Sequence, residues 1–397
     1  MKKNVLMVLA MFIASLNLRP AINSIAPLLD GIRNDLAMNG SIASLLTSIP
    51  VLCMGLFSPI AVKAGGKWGL EKVMGVSLIV IALGTVVRLF TNSVAFLLVT
   101  ALIAGIGIAF IGPLMAGFIK KHFPGQVPSM IAVYSVALTL GAAISSALSS
   151  SLQRAFGSWQ GSLASWAVLA AVAAVLWWLL VLPASAGSAA SSSSPASATA
   201  RLPWGNGKAW ILTLSFGLMA VLFYSYTAWI PEMVQAMGYS KGYSAATLTL
   251  FVVVQIPINL LMPILLRKAP SRRLWLVAAS AFELAGLVML ALHATPWVAA
   301  SLIGIGAGGL FSLNLMLPID AASSAHEAAS WSAMTQSAGY AIGAAGPIFL
   351  GKVHDATGSF ASAIVGMMVV VALMGLVQLA ATSRGRRAVK ASALRVQ

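Results

Sequence analysis

An arginine followed by a proline inside a long apolar run is a pairing suited to binding rather than to bond-making. In this chain the pair is Arg19-Pro20, within the run from Asn4 to Leu29. At about 1.5 Å of rise per residue the run is long enough to cross a hydrocarbon core of about 30 Å. Arg19 then lies about 22 Å from the entry end, beyond easy reach of the near surface. A guanidinium at such depth costs at least about 2.5 kcal/mol, so it faces protein or a wet cavity, either to hold a ligand or to tie its helix to a neighbour. Its planar fork of donors suits an anion or a strong dipole. Pro20 leaves the Leu16 carbonyl without its helical partner, and Pro27 does the same to Asn23. Freed carbonyls and a bend suit a cavity wall. Ser15, Arg19 and Asn23 recur every four residues and are expected on one helical face.

Other residues with chemical potential are few. Glu283 is the one carboxylate well inside an apolar run, which makes it a possible proton carrier for coupling. Its helix is the ninth span and third of its repeat, a place on the outside of such a bundle. That favours a structural pairing, with a hydroxyl or with the basic Arg267–Arg273 loop. GIGAGG at Gly304–Gly309 fits a dinucleotide-binding pattern by letter, but that pattern needs a soluble strand before it and a helix after it. Here it lies inside an apolar span, where small residues let helices approach closely. His122, His293, His326 and His354 sit near span ends and do not pair at metal spacing. Cys53 is the single cysteine, so neither an intrachain disulfide nor a thiolate cluster can form. No metal, cofactor or enzymatic activity is expected, since no nucleophile-plus-base motif is present.

The composition sets the class. Of 397 residues, 59% are hydrophobic and 8% charged, against about 25% charged in soluble domains. The 24 Lys and Arg against 8 Asp and Glu would suggest nucleic acid in a soluble protein, but they sit in short gaps between apolar runs, where the positive-inside rule accounts for them. The predicted partners are the lipid bilayer and a small-molecule substrate, not nucleic acid. The spacing predicts an all-α membrane protein of twelve transmembrane helices: near 4–29, 41–62, 73–90, 94–119, 128–152 and 160–183, then near 208–230, 244–266, 274–292, 296–319, 329–351 and 360–382. Ala184–Ala200 is a small-residue tract that cannot bury a core and reads as a tether. The expected organisation is an N-terminal six-helix bundle (1–183), a cytoplasmic Ser/Ala-rich linker (184–207), a C-terminal six-helix bundle (208–382) and a basic cytoplasmic tail (383–397). With the N-terminus inside, 18 Lys and Arg fall on the cytoplasmic side and five on the other, namely Arg33, Arg88, Arg154, Lys241 and Lys352. Both termini are therefore expected in the cytoplasm.

The two bundles repeat one another. Pro27 and Pro59 match Pro231 and Pro263 at an offset of 204, Ser135 and Gly141 match Ser337 and Gly343 at 202, and Gly105 and Gly107 match Gly304 and Gly306 at 199. Collinear matches of this kind mark a parallel duplication into pseudo-symmetric halves. The offset lays Phe223 on Arg19 and Thr227 on Asn23, so Tyr224 and Thr227 are expected to face Arg19 from the second half. Gln255 and Asn259 are spaced i, i+4, as are Gln336 and Tyr340. Tyr134 takes the place in the fifth helix that Gln336 has in the eleventh. Each alone makes an interhelical hydrogen bond of about 0.6 kcal/mol. Together with Arg19 they outline a cavity between the halves, with one fixed positive charge, amide donors and aromatic walls.

Four stretches carry a family likeness: LNLRPA at Leu16–Ala21, GIGIAFIGPLMAGFIKKHFP at Gly105–Pro124, ASSAHEAASWSAMTQSAGYAIGAAGP at Ala322–Pro347 and GKVHDATG at Gly351–Gly358. With these the chain resembles the cyanate permease and 2-nitroimidazole exporter family of the major facilitator superfamily. The stretch SPIAVKAGGKWGLEK lacks the aspartate of the superfamily's loop motif, although its Gly69–Lys72 end is similar. The resemblance implies a bacterial inner-membrane carrier with alternating access. The expected function is secondary transport of a small anionic or strongly dipolar solute anchored by Arg19, with protons as a possible coupling ion and a monomeric protein. The alternative is export of nitroimidazole-like or other aromatic compounds, recognised by Tyr134, Tyr224 and Trp229.

Overall fold

Proline decides where the first span breaks. In the computed structural model, which describes residues 2–38, 40–183 and 202–383, helix α1 (Lys2–Leu16) stops four residues before Pro20. A turn over Asn17–Arg19 leads into the short α2 (Pro20–Asn23), a 3-10 turn at Ala26–Leu28 and α3 (Leu29–Asp35). Pro20 has no N–H for the Leu16 carbonyl, and that carbonyl lies against Gly141, where any Cβ would collide with it. Ser15, Arg19 and Asn23 therefore do not lie on one continuous helical face as the spacing suggested. Ser15 is wholly buried and its hydroxyl donates to Met11 O at 2.6 Å, whereas Arg19 and Asn23 are half-buried.

The rest of the first half follows as α4 (Gly40–Trp68), α5 (Leu70–Val86), α6 (Val94–His122), α7 (Val127–Phe156) and α8 (Trp159–Leu176), the last continued by a π-helical turn at Trp177–Val181. The second half contains α9 (Gly207–Ala236), α10 (Lys241–Val253), α11 (Gln255–Lys268), α12 (Arg272–Ala291), α13 (Pro296–Ala321), α14 (Ala325–Thr357) and α15 (Phe360–Ser383). The eighth span, Gly242–Lys268, is one crossing as expected, with a one-residue break at Val254 between α10 and α11. Pro257 leaves the Val253 carbonyl without its partner, and α10 ends there. Ala184–Ala200, Arg201 and the tail from residue 384 lie outside the described residues.

Among the described residues, eleven helical segments are long and apolar enough to cross a membrane. The remaining span is α14. At 33 residues it is long enough, but Ser330, Ser332, Thr335 and Gln336 make it more polar. All four are buried, so the polar groups face protein and not lipid.

The chain divides into two compact units, Met1–Leu202 with Ile319–Ser337, and Pro203–Pro318 with Ala338–Gln397. In the first, α5 packs on α6 and α8, α4 on α6, and α1 on α7. In the second, α15 packs on both α9 and α12. The duplication is visible in equivalent close approaches. A Cβ on Gly107 would lie 2.8 Å from Ser77 O and 2.7 Å from Ile81 Cγ1, and one on Gly306 would lie 2.5 Å from both Ala279 O and Glu283 Cγ. Gly84 meets the Ala104 backbone as Gly286 meets Ala299 and Ile303. Gly343 meets Ala220, the counterpart of Leu16, as Gly141 meets Leu16. These contacts fix the register of the two repeats residue by residue.

Candidate substrate site

Arg19 sits at the break in the first span, as the residue before α2. Its backbone carbonyl accepts from both Ile22 N and Asn23 N, so its main chain anchors the restarted helix. Its side chain is half-buried, and among the described residues no hydrogen bond or ion pair engages the guanidinium. Asn23 lies one turn further on, also half-buried. An arginine held on a helix break with its fork uncommitted is a ready receptor for a carboxylate-like or linear anion.

Two further predicted residues belong to the same unit. Tyr134 is buried on α7. Gln336 is buried on the part of α14 that groups with this unit, its Oε1 over Gly112 of α6, where a Cβ would come within 2.6 Å. The adjacent Ser337 hydroxyl donates to Gly55 O at 2.5 Å, and Lys120 Nζ donates to Ile319 O at 3.1 Å. These bonds seat Ile319–Ser337 on α4 and α6.

In the second unit, Tyr224 and Thr227 are half-buried on α9, and the Thr227 hydroxyl donates back to Tyr224 O at 2.9 Å. Gln255 and Asn259 are buried on α11 and turned toward α13. Gln255 Nε2 donates to Phe251 O at 3.1 Å, and Asn259 Oδ1 accepts from the Ser312 hydroxyl at 2.5 Å. Tyr340 is buried edge-on against Phe216, with ring centroids 5.2 Å apart. Trp229 is half-buried and its Nε1 donates to Pro347 O at 3.2 Å.

Three buried charges complete the inventory. Glu283 is 1% exposed and faces the interior of its own unit from α12, packed over Gly306. The Tyr226 hydroxyl of α9 is close enough to interact with its carboxylate, yet neither Tyr226 Oη nor Glu283 Oε2 completes a hydrogen bond. Arg88, counted from the sequence among the outer-side charges, is wholly buried, and Nη1 donates to Ala21 O at 3.0 Å. Its place within the predicted span 73–90 was the available signal. Glu71, at the start of α5, accepts from Lys121 Nζ at 2.7 Å and lies 2.8 Å from His122 Nε2, while its backbone carbonyl accepts from Trp177 Nε1. An ion pair thus forms beside the loop that lacks the expected aspartate. Tyr226 was missed because the repeat offset drew attention to its neighbours Tyr224 and Thr227.

The profile described as Major Facilitator Superfamily matches residues 6–347. The chain belongs to this superfamily. It is a multi-pass membrane transporter rather than an enzyme, with the two-bundle helical fold of the superfamily. It is 31% identical over 383 residues to the 2-nitroimidazole transporter of Escherichia coli K12, covering 96% of each chain. It is also 31% identical over 378 residues to the cyanate transport protein CynX of the same organism, covering 92% of this chain and 96% of that one. Among solved structures, the transporter FucP in its outward conformation aligns with a TM-score of 0.72 at 14% identity, over 95% of this chain and 99% of FucP.

Proposed function

We propose that this superfamily member moves a small anionic or strongly dipolar solute, cyanate-like in size and charge, across the bacterial inner membrane by alternating access. It works as a monomer with both termini in the cytoplasm, and Arg19 is the anchor. The observation that carries this reading is the Arg19 guanidinium itself, half-buried at a helix break and uncommitted among the described residues. The CynX likeness supports the same chemistry. Cyanate binding to purified protein, with folding checked by gel filtration, is the test. Lysine keeps the charge but not the fork, so Arg19→Lys should weaken binding. Arg19→Ala should lower affinity about 30-fold to several thousandfold, the range for a buried charged hydrogen bond. Asn23→Ala should lower it by about 2- to 10-fold.

Well-folded Arg19→Ala with unchanged cyanate affinity would remove the anion reading and favour the alternative, export of nitroimidazole-like aromatic compounds. The 2-nitroimidazole transporter, matched over 96% of this chain, is the observation behind that second reading. Tyr134, Tyr224 and Trp229 would then recognise the cargo.

The candidate coupling group is Glu283, carrying protons; its rival is the structural pairing with a hydroxyl, here that of Tyr226. The supporting observation is positional: the glycine contacts place Glu283 where the first half has Ile81, so packing of the duplicated scaffold does not call for a carboxylate there.

A further inference from the structure

The first unit holds a second arginine, wholly buried and with most of its donors unpaired. Arg88 lies in the 3-10 turn Val87–Phe90 that ends the third span and is 0% exposed. One of its nitrogens, Nη1, donates to Ala21 O, while Nε and Nη2 have no partner. Among the described residues no carboxylate pairs with it. Two further buried polar atoms on the same two segments also lack partners. They are the hydroxyl of Ser24, three residues beyond Ala21, and that of Thr91, three residues beyond Arg88. The elements packed around the turn are α5, α6 and α8. They bring Glu71 at the far end of α5, already engaged by Lys121 and His122, and the start of α8 also meets Asp35, whose Oδ2 accepts from Trp159 Nε1 at 2.7 Å.

The repeat shows that this charge is not required for packing. Gly84 and Gly286 make equivalent contacts, and four residues after each come Arg88 and Leu290. Leu290 is 2% exposed. A leucine thus fills the same position in the second half, and the arginine is an addition to the common scaffold. A wholly buried guanidinium with one carbonyl bond and two unpaired nitrogens has the chemistry of an anion receptor.

We propose that Arg88, with the hydroxyls of Ser24 and Thr91, binds a small monovalent anion of halide size inside the first unit. The site is separate from Arg19, which is half-buried and lies before the break-point helix α2, whereas Arg88 reaches that helix from the third span. The anion is either a resident one or the cargo on its way through, and the two are distinguished by exchange.

Chloride is the probe. The full chain in detergent is melted at constant ionic strength with chloride replaced stepwise by gluconate, and bound radiolabelled chloride is counted by equilibrium dialysis. The expected result is a melting temperature about 2–4 °C higher in 150 mM chloride than in gluconate, with one chloride per chain. Both should persist in Arg19→Ala and disappear in Arg88→Leu, which installs the residue of the second half. If Arg88→Leu does not fold, Ser24→Ala with Thr91→Val should still lower chloride affinity by about tenfold or more. No chloride bound to the wild type at 100 mM, or chloride binding equal in wild type and the Arg88 or hydroxyl variants, overturns the proposal. Loss of binding in Arg19→Ala alone would overturn it too, because the anion would then be held at Arg19. Retention of chloride when the vesicle-reconstituted protein turns over cyanate marks a resident ion, and exchange marks a cargo step; either result supports the site itself.

Discussion

The two halves of this molecule share a scaffold and differ in what has been placed on it. The same glycines bring the third and fourth helices of each repeat together, and the same glycine lets the fifth helix approach the first. On that common frame the first half carries Arg88 where the second has Leu290, and the second carries Glu283 where the first has Ile81. The Ser215 hydroxyl donates to Asn314 Oδ1 at 2.7 Å in the second half, where the offsets of 204 and 199 give Met11 and Met115, both wholly buried. The first span is broken in one half, while its counterpart α9 runs unbroken from Gly207 to Ala236 with Pro231 inside it. Each apolar counterpart shows that the position can be filled without polarity. The polar residue was therefore retained for something other than packing, or is tolerated because its partner is at hand.

That contrast can be broken most severely at the shared glycines. Gly141→Ala drives a Cβ into the Leu16 carbonyl, a backbone group that cannot rotate aside, whereas Gly343→Ala meets the Ala220 methyl at 2.6 Å. Gly141→Ala should cost about 3 kcal/mol or more and Gly343→Ala about 1–3 kcal/mol, read as folded yield and melting temperature in detergent. Equal small effects would mean that the helix break in the first half does not rest on this contact.

An intermediate effect is expected from Glu283→Ile, which copies the first half into the second. The protein should fold normally, since the buried carboxylate is replaced by a residue its twin position accepts, and uptake into proteoliposomes should become insensitive to an imposed pH gradient. A variant that transports with the wild-type pH response would leave Glu283 a structural neighbour of Tyr226.

The smallest effect should come from Ser215→Ala. It removes one interhelical hydrogen bond, worth about 0.6 kcal/mol on average in membranes. A melting loss equivalent to more than 2 kcal/mol would show that the polar pair holds the second half together in a way its methionine counterparts do not.

Much of this architecture was legible because the bilayer imposes a simple demand on each span. Apolar stretches had to be long, and Pro20 announced its own break through the carbonyl it cannot satisfy. The second break, at Pro257, follows the same rule but is masked in the sequence, because Val252, Val253 and Val254 keep the stretch apolar across it. The burial of Arg88 was not legible for a different reason: hydropathy marks where a span ends only to within a few residues, and whether an arginine at that margin is solvated or enclosed depends on its partners in the fold. Ser15 illustrates a third limit. The i, i+4 rule holds only while the helix continues, and the proline that made Arg19 conspicuous also removed the shared face. Likewise Gln255 and Asn259 were readable as a pair on one helix, but their direction, toward Ser312 and α13, is set by tertiary packing that spacing does not encode.

The polarity of α14 has a consequence for how the protein reaches the membrane. A segment carrying serines, a threonine and a glutamine through its middle gains little from partitioning into lipid by itself, since each such group would enter hydrocarbon unpaired. Its neighbours must already be present to receive it. Ile319–Ser337 finds an acceptor in Gly55 O and a donor in Lys120 Nζ, both in the first unit, while Ala338 onward groups with the second. Biogenesis of the penultimate span therefore depends on segments synthesised some 200 to 300 residues earlier. A nascent chain that has lost them should stall with α14 outside the bilayer, even though every residue of α14 is intact.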